Sequence, residues 1–229
     1  MSTGMAADPL RATDPLSAEW VTVLLLGLFV LLALINAGGS RKWRLLGQTV
    51  FRMRLGRQAM REELDLQDRS ILGMLVLSIG VIGLFAWQYF QWTRMPGAPS
   101  YMMVLGVAVA VVLAQGLLLR VVGGLFKVDQ GVAEHLYTGL LLVVLAGVAL
   151  LPVVVLMAYR AEYRGTLAPL GLAVVGTLLI YRWVRGTWIG VGEGVPVRYI
   201  ILYFCAAEIL PVLLAISALR PSADLSVHP

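Results

Sequence analysis

The chain has 229 residues, 59% of them hydrophobic and 14% charged, and its mean hydropathy is +0.85. A water-soluble domain of this size could not carry that balance on its surface. The net charge of +5 and a pI near 9.7 would suit a nucleic-acid binder. In so apolar a chain, however, the basic residues read as cytoplasmic loops, and no nucleic-acid partner is expected.

The first 19 residues are polar and irregular, with Pro9, Pro15, Asp8 and Asp14. They lack the charged start and small-residue cleavage site of a secretory signal, so the apolar run after them is expected to stay in the protein. Crossing a hydrocarbon core takes about 20 apolar residues. Six stretches meet that need: 20–37, 71–90, 101–119, 136–159, 167–184 and 199–219, with a polar tail at 220–229. Within a bilayer every backbone polar group must be satisfied internally, which leaves helices or a closed barrel. Runs such as Val21 to Ala33 do not alternate as barrel strands do. The expectation is an all-α transmembrane bundle of six helices.

Basic residues orient it. Arg41, Lys42, Arg44, Arg52, Arg54, Arg57, Arg61, Arg69, Arg120, Lys127, Arg182, Arg185 and Arg198 fall on one side. Only Arg11, Arg94, Arg160, Arg164 and Arg220 fall on the other. Thirteen against five assigns the rich side to the cytoplasm of a cell inner membrane and both termini to the outside. Trp20, Trp87, Trp92, Tyr101, Tyr159, Trp183, Trp188 and Tyr199 fall where headgroup belts would put aromatic rings.

The stretch 41–69 is the largest piece outside the membrane. Leu46, Val50, Met53, Met60 and Leu64 keep to one helical face. Its part 41–61 could lie on anionic lipid headgroups or dock on a partner; a solvated basic loop that only sets topology is the plainer reading. The third span is open at its end. Either one long helix runs to Phe126 and holds Arg120, or the span stops near Leu119 and a loop follows; the long helix is favoured. Pro152 in the fourth span would free the carbonyl of Val148 and, with Gly147 nearby, kink the helix. The stretch from Arg185 to Arg198 has Gly190, Gly192 and Gly194 before Pro196. It lacks the Gly-Lys-Ser/Thr of a phosphate-binding loop, so it reads as a flexible connection.

Glu208 is the residue with most to say. It follows Tyr199 by nine positions, roughly 13 Å into the last span, where an ionisable group is costly and by default functional. Desolvation would favour its protonated form unless a cation is near. Pro211 cannot donate to the carbonyl of Ala207 and predicts a second kink; Cys205 is one turn away on the same face. Arg120 is the expected partner, with Arg182 and Arg185 as alternates. The site could be an ion pair that locks the fold, a proton or substrate pathway, or a catalytic group. No nucleophile with a general base is evident, so the chain leans away from an enzyme. Cys205 is the sole cysteine and His135 and His228 are the only histidines, which excludes an intramolecular disulfide and leaves no metal-ligand cluster. No metal or cofactor is expected.

The run Leu202-Tyr203-Phe204-Cys205-Ala206-Ala207-Glu208-Ile209-Leu210-Pro211 resembles the C-terminal signature of an uncharacterised multi-pass inner-membrane family found mainly in Bacteroidota, a domain of unknown function. The similarity extends upstream through Arg120, Gly123, Gly124 and Phe126 to Leu150-Leu151-Pro152. It implies that Tyr203, Cys205, Glu208 and Pro211 belong together, and it supplies no activity. The functional expectation is a non-enzymatic scaffold or accessory of an envelope assembly, with other membrane proteins or further copies of itself as partners. The alternative is a small transporter or lipid-handling protein using an intramembrane Glu/Arg site.

Overall fold

The computed structural model describes residues 14–37, 69–93, 98–126 and 129–192, and five single residues of the last apolar stretch: Cys205, Leu210, Leu213, Leu214 and Ser217. The described segments are helical and contain no strand. Among the described residues there are five long helices: α1 Glu19–Ala37, α2 Arg69–Trp92, α3 Tyr101–Phe126, α4 Asp129–Tyr159 and α5 Arg164–Gly192. Each contains a stretch long and apolar enough to cross a membrane. The stretch 41–61 and nearly all of 199–219 lie outside the described residues.

Contacts between side chains set the relative directions. Trp20 near the start of α1 meets Trp87 near the end of α2, with ring centroids 4.7 Å apart. Ile35 near the end of α1 meets Gly73 near the start of α2, so these two helices are antiparallel. Ser78 donates to the carbonyl of Val144 at 3.3 Å and Gln88 to that of Val154 at 3.2 Å, so α2 and α4 run parallel. Arg164 at the start of α5 reaches Met157 near the end of α4, and Arg182 near the other end lies on Gly139, so α4 and α5 are antiparallel. The most extensive packing is between α2 and α4, with α1 against α2, α3 against both, and α5 against α4.

Glycine positions decide how close these helices come. Gly73 and Gly80, seven residues apart, share one face of α2. A Cβ at Gly73 would lie 3.3 Å from Ile35, and one at Gly80 would lie 3.2 Å from Leu28, so α1 seats on that face. At Gly147 the approach is closer: a Cβ there would overlap the backbone of Ser78 and sit 2.6 Å from its Oγ. The Phe85 ring fills the space over Gly171 of α5 in the same way. Small residues allow such contacts where lipid supplies no hydrophobic drive between helices.

The end of the bundle where α1 begins is tied by short polar contacts. Asp14 accepts from the amide of Leu16 at 3.2 Å and caps the single turn Pro15–Ser17, which inserts the buried Leu16 into the core. Its other oxygen pairs with Arg164 at 2.6 Å. Arg164 also donates to the carbonyls of Met157 at 2.8 Å and Ala158 at 3.5 Å, satisfying the open end of α4.

Two expectations meet these observations. The third helix continues to Phe126, so Arg120 lies within it. The connection expected from Arg185 onward is instead helical as far as Gly192. Glycine in a helix costs only about 1 kcal/mol relative to alanine, and here the helix continues past the buried Arg182 and Arg185. α4 likewise runs through Pro152, which is exposed.

Candidate intramembrane polar site

An arginine in an apolar helix must either reach headgroups or be accommodated within the protein. Arg182 and Arg185 are three residues apart and so project from one face of α5. They are 8% and 7% exposed, whereas Val184, on another face, is 61% exposed. From Arg164 to Arg182 the helix rises roughly 27 Å at 1.5 Å per residue. That places the pair near the far boundary of an apolar layer, level with aromatic rings suited to an interface.

The absence of a side chain at Gly139 makes room for Arg182. A Cβ at that position would lie 3.4 Å from Cζ and Nη2 of Arg182, so the guanidinium is in van der Waals reach of the α4 backbone. Neither arginine is without a partner. Two guanidiniums on one helix face suit a carboxylate or phosphate, which they can engage through paired N–H donors. Among the described residues, no group of three His, Cys, Asp or Glu side chains gathers to hold a metal ion.

Further into the bundle, two polar side chains of α2 are fully buried. Ser78 donates to its own helix at Met74, 2.7 Å away, and also reaches Val144 on α4. Gln88 gives its amide N–H to Val154, and its Oε1 has no hydrogen-bond partner among the described residues. Neither residue stands out in the sequence as a candidate. Their only local signal is a polar side chain amid apolar neighbours, shared by residues such as Gln115 that are not buried.

Only some of the expected site residues are among those described. Arg120 is exposed on α3 and Cys205 is exposed, while Arg182 is buried. Glu208, Tyr203 and Pro211 lie outside the described residues. His135 is in α4.

A family model, Domain of unknown function (DUF4271), matches residues 21–219. The chain belongs to the DUF4271 family. The match takes in α1 to α5 almost whole and continues across the last apolar stretch. Comparison of this DUF4271 chain with curated proteins and with solved structures gives no match.

Proposed function

We propose that this DUF4271 chain is a six-span protein of the cell inner membrane, with both termini outside and 41–69 in the cytoplasm, that acts as a non-enzymatic scaffold or accessory of an envelope assembly. The observation that carries this reading is the open face of α3. Only 11% of its spanning window is buried within the chain, against 50% for α2 and α4. Among the described residues, nothing lies within 4 Å of where a Cβ would stand at Gly106 or Gly116. Gly106, Ala110 and Ala114 are spaced four apart, the pattern through which membrane helices approach one another. The partner is another membrane protein or a second copy. The basic stretch 41–61 would add contact with anionic lipids. Purification in mild detergent tests the proposal: stable stoichiometric partners, lost when Gly106 and Ala110 are both changed to Leu, support it. A monodisperse monomer without partners overturns it.

A second reading rests on the burial of Arg182 and Arg185. Here the protein is a small transporter or lipid-handling protein, and Glu208 is the acidic member of the intramembrane site, with Tyr203, Cys205, Pro152 and Pro211 around it. We assign Arg182 rather than the exposed Arg120 as its counter-charge, because a buried guanidinium needs compensation that lipid cannot supply. The Leu202 to Pro211 motif of the Bacteroidota family belongs to the same proposal. Glu208→Gln keeps size and hydrogen bonding; at normal abundance it should abolish uptake into vesicles by the protein alone. Uptake unchanged by that substitution dismisses the transport reading.

A further inference from the structure

We draw no further inference here: the strongest candidate, the small-residue face of α3 from Gly106 to Ala114 with the exposed Arg120 near its end, carries nothing beyond the scaffold reading because nothing in the structure shows what covers it.

Discussion

Gly147 and Gly106 are both glycines inside apolar helices, yet substitution should separate them sharply. A methyl at 147 would overlap Ser78, and the α2 backbone there cannot retreat without opening the Ser78 to Val144 bond. Gly147→Ala is expected to cost about 1–3 kcal/mol, the range for overpacking. Gly106→Ala meets open space and should raise helix stability by roughly 0.4–1 kcal/mol. Thermal unfolding of the two variants in one detergent checks the contrast; equal effects would mean that α2 and α4 are not so close. The polar contact of Asp14 with Arg164 is a second case at this scale. With the two side chains 21% and 12% exposed, solvent screens the pair only in part. A double-mutant cycle of Asp14→Asn and Arg164→Gln should show a coupling of about 0.5–3 kcal/mol. Strict additivity would show that Arg164 works only as the cap of α4.

Between elements, the seam of α4 and α5 depends on what stands at 139. The distance there is ordinary contact for a methyl, so Gly139→Ala should leave the fold and its abundance unchanged. Gly139→Leu would drive the Arg182 guanidinium out of the seam, at a cost of roughly 1–3 kcal/mol, and should lower the yield of folded protein. If Leu is tolerated as well as Ala, Arg182 is not held against α4. The neighbouring stretch shows where local reading falls short. Gly190, Gly192 and Gly194 before Pro196 make 185–198 look like a connection, but a weak helix former is readily overridden by surrounding packing, and the segment is helical through Gly192. At Tyr101–Phe126 the apolar run carried the opposite message, and the favoured long helix is the one observed.

For the whole molecule, topology is the property most open to a direct test. In the proposed topology, the excess of Lys and Arg around 41–69, 120–127 and 182–198 is what puts that side in the cytoplasm. The antiparallel pairs α1 with α2 and α4 with α5 agree with successive crossings. A reporter active only outside the cytoplasm should give signal when fused after Gly97 and silence after Gln67. The reverse pattern would invert the assignment, and signal at both positions would break the six-span count. The same geometry makes the last apolar stretch decisive: with five crossings the termini lie on opposite sides, and with six they lie on the same side. A fusion after Ser222 therefore separates the two.

What the amino-acid order determined by itself is the solvent and the class of fold. Apolar length and the need to satisfy the backbone are local properties, so long membrane-type helices follow from the residues alone. A domain of unknown function, expected from a resemblance, is what the match over 21–219 shows. Which residues occupy the interior was not legible. Arg120, Arg182 and Arg185 are alike as arginines near the ends of apolar runs; what distinguishes them is whether a neighbouring helix faces them. α3 presents Arg120 outward, whereas α5 turns Arg182 and Arg185 inward, with Arg182 lying on a glycine of α4. Ser78 and Gln88 were passed over for the same reason, since a hydroxyl or an amide becomes a buried group only when a second helix closes over it. Burial depends on contacts between segments far apart in the chain, and only the tertiary structure decides it.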